Sequence, residues 1–309
     1  MALPRRLKSI TTAMTAVVLA VSLSACAGGA SQSTTTGANA LAGSDQKNTD
    51  KYTTANVTPV SQIDKSKLNL ITDGTLRVGT LSDAPPNIFI KNGVFTGYDN
   101  ELLKAIAAKL GLKVEFASTD FSALLSQVAT KQFDLGSSSI STTDKRRQNV
   151  GFTNGYDFGY MAVVVKNDSK VQKFADLKSD TRIGVVQGTV QDDYVTNTLG
   201  LQPVRFNDYN TVYANVRNGQ IDAWVAPSQQ AEGQVKEGDG TKIGESVVNT
   251  QNFTAYAVNK DNKALIDALN SGLDAVVADG TWSRLTKEWY PKRETPKDWK
   301  PGSKAVTVK

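Results

Sequence analysis

Two stretches of the chain repeat the same alternation of strand and helix patterns. In the first stretch, strand patterns and helical patterns alternate at 75–80, 101–110, 113–117, 121–131 and 133–136. In the second, they alternate at 182–186, 190–198, 203–206, 209–217 and 221–225. The order β-α-β-α-β is typical of parallel strands covered by helices. The repetition predicts an α/β protein of two similar lobes, with a ligand cleft between them at the carboxyl ends of the strands.

The composition excludes several classes of function. The chain of 309 residues has no histidine and a single cysteine. It therefore lacks Ser-His-Asp and Cys-His nucleophile systems, histidine-based zinc sites and an internal disulfide. The formal net charge is +5, and about +2 remains once the three basic residues of the N-terminal signal are set aside, too little to indicate nucleic-acid binding. We expect no cofactor and no metal.

The N-terminus carries an export signal. Three basic residues at positions 5, 6 and 8 precede an apolar stretch, Ala13–Leu23, that is too short to span a bilayer. It ends in Leu23-Ser24-Ala25-Cys26, which resembles the lipobox of bacterial lipoproteins, in which the cysteine is acylated. The alternative is ordinary secretion with cleavage near Ala25. We expect a signal peptide at 1–25.

After Cys26 the chain is rich in Gly, Ser, Thr, Ala and Asn and has almost no apolar periodicity. Such a composition is typical of a flexible tether. We expect the tether to extend over 26–70 from a lipidated Cys26, so that the folded body is held at the outer face of the cell membrane.

From position 76 to 290 the sequence resembles the amino-acid-type family of periplasmic solute-binding proteins of ABC importers, bacterial family 3. The segments that carry the resemblance are Leu76–Thr80, Thr96–Asp99, Leu110–Phe116, Ser141–Arg147, Gly184–Thr189 and Ala278–Trp282. They occur in the family's order and at its spacing. The resemblance implies a type II periplasmic-binding-protein fold, a Venus flytrap, in which each lobe is a mainly parallel sheet flanked by helices.

The resemblance also implies the division of the chain. Lobe 1 is discontinuous, 71–164 plus 255–290, and lobe 2 is inserted at 165–254. Two strands near Val163–Lys166 and Thr254–Val258 would form the hinge, and ligand binding would close the lobes. The tail at 291–309 lies past the family's usual end and is a C-terminal extension.

The carboxylate grip is expected on lobe 1. The resemblance places Arg146 on the ligand's carboxylate, and a guanidinium offers paired donors that match two oxygens. The alternative is a surface charge in a basic run with Lys145 and Arg147. The hydroxyls of Ser138, Ser139 and Ser141 are expected to bind the same carboxylate, although a polar strand end would look the same.

The second lobe is expected to contribute Gly188, Thr189 and Gln191, because the N–H groups where a strand leads into a helix favour an anion. Phe121 is expected to form an apolar wall or to lie in the core. Trp224 would hold a ligand cation by its π face or pack the lobe.

The partner of a ligand ammonium departs from the family. The acid that family members carry after the last strand of lobe 2 is replaced by Pro227, and Leu81 stands at the usual acid near the first strand. Because a buried ammonium without a counter-charge costs several kcal/mol, either Asp83 or Asp157 takes this role or the ligand has no free α-ammonium.

The sequence therefore predicts a monomeric substrate-binding lipoprotein that delivers an amino acid or related carboxylate to ABC permease subunits, and not an enzyme. One alternative is a lipoprotein sensor that reports a ligand to a membrane partner. The other is a dehydratase-like enzyme on the same fold, for which Asp83, Asp157 and Asp192 are the nearby acids.

Overall fold

The computed structural model describes residues 63–304, apart from the side chains of Tyr160 and of residues 249–252. The predicted signal peptide, Cys26, most of the predicted tether and residues 305–309 lie outside the described residues. Within the described part of the chain, no helix is both long and apolar enough to cross a membrane.

The last residues of the predicted tether pack onto the folded body. Leu68 is buried in the first hydrophobic core, and the Asn262 side-chain amide donates to its carbonyl oxygen at 2.8 Å. The Lys65 ammonium donates to the carbonyl oxygen of Gly111 at 2.7 Å. We therefore propose that the folded body begins before residue 71. Burial of the apolar Leu68 side chain against it is favourable.

The strands and helices alternate through most of the described chain. The strands are β1 (Thr75–Thr80), β2 (Asp83–Ala84), β3 (Ile88–Lys91), β4 (Val94–Thr96), β5 (Lys113–Ser118), β6 (Leu135–Ser137), β7 (Gly151–Phe152), β8 (Asp157–Lys166), β9 (Ile183–Val186), β10 (Val204–Phe206), β11 (Ala223–Pro227), β12 (Thr241–Thr254) and β13 (Ala257–Val258). The helices are α1 (Tyr98–Lys109), α2 (Phe121–Ala129), α3 (Asp144–Arg147), α4 (Val190–Asp193), α5 (Tyr209–Arg217), α6 (Ser228–Gln234), α7 (Lys263–Ala278) and α8 (Thr281–Trp289). A π-helical turn, Tyr194–Thr198, follows α4, and short 3-10 turns lie at Lys65–Lys67 and Phe174–Asp176.

The first sheet has the strand order β5-β1-β6-β13-β7. Strands β5, β1 and β6 are parallel, whereas β13 runs antiparallel to β6 and β7. Helices α1, α7 and α8 supply apolar side chains to its core, among them Leu102, Ile106, Leu269 and Leu285. Gly97 precedes α1 with φ 105°, and a Cβ there would lie 2.3 Å from the Asn87 carbonyl oxygen. Only glycine fits this entry to the helix.

The second sheet repeats this arrangement with the order β10-β9-β11-β8-β12. Strands β10, β9 and β11 are parallel, and β8 runs antiparallel to β11 and β12. A third, small antiparallel sheet contains β2, β3 and β4. The predicted α/β class is confirmed, but each five-stranded sheet is mixed, because β13 runs antiparallel to its neighbours in the first sheet and β8 does so in the second.

The chain passes between the two large sheets near Asp157 and Thr254. Strand β8 pairs within the second sheet along its length, from Asp157 opposite Thr254 to Lys166 opposite Thr241. We therefore propose that the lobe boundary lies near residues 157 and 254, rather than at the predicted division between residues 164 and 165. The other predicted lobe bounds stay predictions.

Candidate functional site

A small cavity lies between the two sheets, where β6, β9 and β11 end. Its volume is about 30 Å³, which suffices for about one water molecule. The residues that line it are Phe121, Ser138, Ser139, Ser141, Arg146, Gly159, Thr189, Val190, Gln191, Tyr209, Pro227, Gln229 and Thr254. A groove of about 570 Å³ adjoins the cavity and shares Arg146, Thr189 and Val190 with it. Seven of the ten predicted ligand-binding residues thus line one cavity.

The serines of this cavity follow strand β6. Ser138 is 4% exposed, and its hydroxyl has no hydrogen-bond partner among the described residues. Ser139 has φ 45°, a left-handed conformation that is uncommon for a residue with a side chain. Ser141 also lines the cavity, and its carbonyl oxygen accepts a hydrogen bond from the Arg146 side chain. A buried hydroxyl without a partner in the protein is a natural site for a ligand's polar group.

Arg146 connects the two sides of the cleft. It lies in α3, whose first turn is capped by the Thr143 hydroxyl accepting from the Arg146 backbone N–H at 3.2 Å. Its Nη1 donates to the Ser141 carbonyl oxygen at 2.9 Å, and its Nη2 donates to the Gly188 carbonyl oxygen at 3.1 Å. The guanidinium lies 5.1 Å from the ring centroid of Phe121. Burial lowers the pKa of the guanidinium to about 10, so that it stays charged at neutral pH.

The second-sheet side of the cavity is built by the loop from β9 into α4. The Thr189 hydroxyl accepts from the Asp192 N–H at 3.2 Å and caps this helix. Thr189 and Gln191 are each 4% exposed and line the small cavity. Gly188 lies in the adjoining groove, where its carbonyl oxygen faces the Arg146 guanidinium. The backbone at this helix start is well placed to meet an anionic group.

Three predicted ligand-binding residues do not line the small cavity: Gly188, which lies in the adjoining groove, Asp83 and Trp224. The Asp83 carboxylate accepts from the Tyr209 N–H at 2.6 Å, and burial raises the pKa of this carboxyl. It therefore lies behind Tyr209, not on the cavity surface. Trp224 is fully buried and packs against Tyr209 and Tyr213, with ring centroids 6.1 and 6.2 Å apart. Its position is that of a core side chain.

The acids considered for catalysis or for an ammonium are engaged elsewhere. Asp83 holds the N–H of Tyr209. Asp157 is buried and forms an ion pair with Arg293. Asp192 accepts from the Arg205 guanidinium at 3.0 and 3.1 Å. A general acid must be able to reach the reacting group, and these contacts give no support to the predicted enzyme alternative.

The sequence reasoning missed four residues of the cavity wall, which are Gly159, Tyr209, Gln229 and Thr254. Tyr209 and Gln229 could have been found, because each lies just after a strand of the second sheet, at the same carboxyl edge as Thr189. Gly159 and Thr254 belong to β8 and β12, which pair antiparallel. The rule that ligands bind at the carboxyl ends of parallel strands does not point to them.

Comparison with known proteins gives the following relatives. The model of the family described as bacterial extracellular solute-binding proteins, family 3, matches residues 76–292. The "Probable histidine-binding protein" of Campylobacter jejuni is 31% identical over 221 residues, which cover 70% of this chain and 84% of that protein. The "ABC transporter arginine-binding protein 1" of Escherichia coli is 29% identical over 205 residues, which cover 65% of this chain and 84% of that protein.

A solved structure has a similar fold. The structure of an ancestral arginine-binding protein bound to arginine matches with a TM-score of 0.66 and 30% identity. The match covers 70% of this chain and 98% of the ancestral protein. Apart from Thr75, both five-stranded sheets described above lie within the 76–292 range of the family match, and most of the C-terminal extension lies outside it.

Proposed function

The chain belongs to family 3 of the bacterial extracellular solute-binding proteins, and we propose that it captures an amino acid or a related carboxylate for an ABC importer. Its relatives are binding proteins rather than enzymes, and this chain is likewise a solute-binding protein. The ligand class is supported by the named relatives, whose names give histidine and arginine as ligands, and by the positive charge of Arg146 in the cavity wall.

The observation that carries the proposal is the position of Arg146. Its guanidinium lies between the Ser141 carbonyl on one side of the cleft and the Gly188 carbonyl on the other. Ser138 brings to the same cavity a buried hydroxyl that has no hydrogen-bond partner among the described residues. A carboxylate at this point would receive charge-assisted hydrogen bonds from the guanidinium and further donors from the serines and from the start of α4.

The size of the cavity supports a mechanism of opening and closing. A volume of about 30 Å³ is roughly a tenth of the smallest usual small-molecule pocket. A ligand therefore enters only after the two sheets move apart, and the sheets then close on it. The crossing strands near Asp157 and Thr254 are the place where such a movement pivots.

Titration calorimetry of the mature protein with L-arginine, L-histidine, L-lysine and L-glutamine tests this function. We expect at least one of these amino acids to bind. Arg146→Met should weaken that binding by about 2 kcal/mol, roughly thirtyfold, because hydrogen bonds to a charged group are lost.

Arg147→Met is the matched control. Arg147 is the next residue of the same helix, but its side chain pairs with Asp144 at 3.2 Å and it does not line the cavity. Its substitution should change affinity by less than about twofold, as expected of a residue without ligand contact. Equal affinities of Arg146→Met and the unchanged protein would contradict the proposed carboxylate grip. Binding of none of the four amino acids would contradict the function.

We further propose that the protein is anchored by an acylated Cys26. The support is the segment Leu23-Ser24-Ala25-Cys26 after an apolar stretch. Attachment of several acyl chains to one residue gives stable membrane association, whereas a single chain is marginal. Cys26→Ser should move the protein from the membrane fraction to the soluble fraction, and an unchanged membrane fraction would exclude the anchor.

A further inference from the structure

The wall of the small cavity contains a single charged side chain. Of the described residues that line it, only Arg146 is charged at neutral pH, and the others are glycine, serine, threonine, glutamine, tyrosine or apolar residues. Residues 160 and 249–252, whose side chains are not described, are also of uncharged types. A ligand carboxylate can therefore pair with Arg146, whereas the described wall offers no acid to a ligand cation.

Two carboxylates lie behind this wall. Asp99 is 0% exposed and accepts hydrogen bonds from Ser139 and from the Tyr156 hydroxyl, which are neutral donors. Asp83 lies behind Tyr209 and accepts its N–H at 2.6 Å, so that its charge is met by the positive end of helix α5. Burial raises the pKa of both carboxyls. Of these two, Asp99 alone is left to offset a positive charge in the cavity, and it can offset one.

The other acids near the cleft are paired with cations of the protein. In the adjoining groove, Asp192 lies 3.0 Å from the Arg205 guanidinium and Asp193 lies 3.4 Å from the Lys145 ammonium. Asp193 is also 52% exposed, so that water screens its charge. Asp157 is buried in the ion pair described above. None of these described acids is available to a second cation inside the closed cavity.

We propose that the ligand is an amino acid whose side chain is uncharged, so that it brings one carboxylate and one ammonium into the site. This proposal rests on the proposed function and deepens it by naming the ligand class. When the two sheets close, a second cationic group, as in arginine or lysine, would be buried without an acid to pair with. A second carboxylate, as in glutamate, would be buried without a second cation. Burial of an unpaired charge is costly in either case.

The uncharged polar groups of the wall suit such a side chain. Gln191 and Gln229 are each 4% exposed, and both line the cavity. The Gln229 amide nitrogen donates to the Phe158 carbonyl oxygen at 3.3 Å, which leaves the amide oxygen to accept from a ligand. An amide carries both donors and an acceptor without charge. The wall can therefore satisfy an amide or ureido side chain by hydrogen bonds alone.

Pairs of ligands with nearly the same shape test the inference. L-Citrulline and L-arginine differ in the charge of one planar group, and so do L-glutamine and L-glutamate. Titration calorimetry of the mature protein at pH 8, where the imidazole of L-histidine is uncharged, gives dissociation constants for these four, L-histidine and L-lysine. The tightest of the six ligands should be uncharged in its side chain. Within a pair, the uncharged member should bind at least about tenfold more tightly than the charged one.

An acid introduced into the wall should shift this preference. Pro227 lines the cavity and is the N-cap residue of helix α6, a position at which aspartate and asparagine are both favourable. Pro227→Asp and Pro227→Asn therefore have nearly the same shape and differ in charge. The ratio of the arginine to the citrulline dissociation constant should be at least about tenfold lower in Pro227→Asp than in Pro227→Asn.

The outcomes separate the two levels of the argument. If the tightest of the six ligands has a charged side chain, or if folded Pro227→Asp and Pro227→Asn give the same ratio, the inference is overturned and the binding function stands. If the variants fail to fold, as judged by their thermal transitions, the comparison of ligands in the unchanged protein decides. If none of the six binds, the proposed function fails and the inference fails with it.

Discussion

Asp134 and Asp222 have the same role in the two halves of the molecule. The Asp134 carboxylate accepts from the backbone N–H groups of Ile71 and Arg77, at 2.9 and 2.8 Å. Asp222 accepts from the backbone N–H of Arg182 at 2.8 Å. Each aspartate lies in the connection from a helix to the next strand. Through these hydrogen bonds it fixes that connection beside the neighbouring strand, β1 for Asp134 and β9 for Asp222. The sequences at 131–134, Lys-Gln-Phe-Asp, and at 219–222, Gly-Gln-Ile-Asp, are similar, and the similarity reflects a repeated local structure.

The repeated structure predicts a stabilising substitution. Lys131 has φ 60° and Gly219, at the equivalent position, has φ 70°. A left-handed conformation costs a residue with a side chain roughly 1–2 kcal/mol, whereas glycine adopts it without that cost. Lys131→Gly should raise the free energy of unfolding by about 0.5–1 kcal/mol, since the greater entropy of glycine in the unfolded chain offsets part of the gain. Urea unfolding measures this.

Gly219→Lys is the reciprocal variant and should lower the free energy of unfolding by about 1 kcal/mol. If Lys131→Gly and Gly219→Lys both lower the free energy of unfolding, the two positions are not equivalent.

At the scale of elements, the C-terminal extension packs on the crossing between the sheets. Its Trp299 is 5% exposed and lies 5.2 Å from the ring of Phe158 and 6.1 Å from that of Trp282. Arg293 forms an ion pair with Asp157 and lies over the Phe158 ring at 4.2 Å. The extension continues to Ser303, whose carbonyl oxygen accepts from the Gly155 N–H at 2.8 Å, while the Gly302 N–H donates to the Gly155 carbonyl oxygen at 2.8 Å. Most of this segment lies beyond the residues that the family model matches.

Removal of these contacts should destabilise the protein. Trp299→Ala should lower the free energy of unfolding by about 3 kcal/mol, because a large buried ring leaves a cavity. Lys300→Ala, an exposed neighbour, should change it by less than about 0.5 kcal/mol. Guanidinium unfolding of both variants makes the comparison, and equal midpoints would mean that the extension contributes no stability.

At the scale of the whole molecule, several contacts join the two sides of the cleft. Arg146 reaches Gly188, and Asp83 reaches the Tyr209 N–H. Helix α6 also comes very close to the loop before β3: a Cβ added at Gly233 would lie 2.2 Å from the Pro85 carbonyl oxygen. Such a distance is far below any van der Waals contact, so this closed arrangement requires glycine at position 233.

Gly233→Ala should therefore act on closure and not on folding. Because alanine favours a helix over glycine by about 1 kcal/mol, the free energy of unfolding should stay equal or rise. The affinity for ligand should fall by about tenfold or more, since the two sides can no longer meet without a clash. Calorimetry gives the affinity, and small-angle scattering with and without ligand gives the compaction.

Glu232→Ala is the matched control for this substitution, because Glu232 is the exposed neighbour on the same helix. It should leave affinity and compaction within about twofold of the unchanged protein. Ligand-induced compaction of Gly233→Ala equal to that of the control would show that closure does not use this contact.

Much of the fold and part of the candidate site were predictable from the sequence. The order of strands and helices follows from local apolar periodicity, and Arg146, Ser138 and Thr189 follow from a resemblance and from their places after strands. These signals depend on neighbours a few residues apart, which the sequence displays directly. The ligand contacts of these residues stay predictions, while their convergence on one cavity is a feature of the structure.

The tertiary structure decided which partner each polar side chain has. Asp99 meets Ser139 across 40 residues of chain, and Arg293 meets Asp157 across 136. Trp224 lies in the core, although its position in the sequence was equally compatible with the cleft. The physical reason is that a buried charge must be paired or hydrogen-bonded, and the packing of distant elements determines which groups lie within reach of it. Pairing between distant residues produces no periodic pattern in the sequence, whereas the strands and helices of each α/β half do produce one.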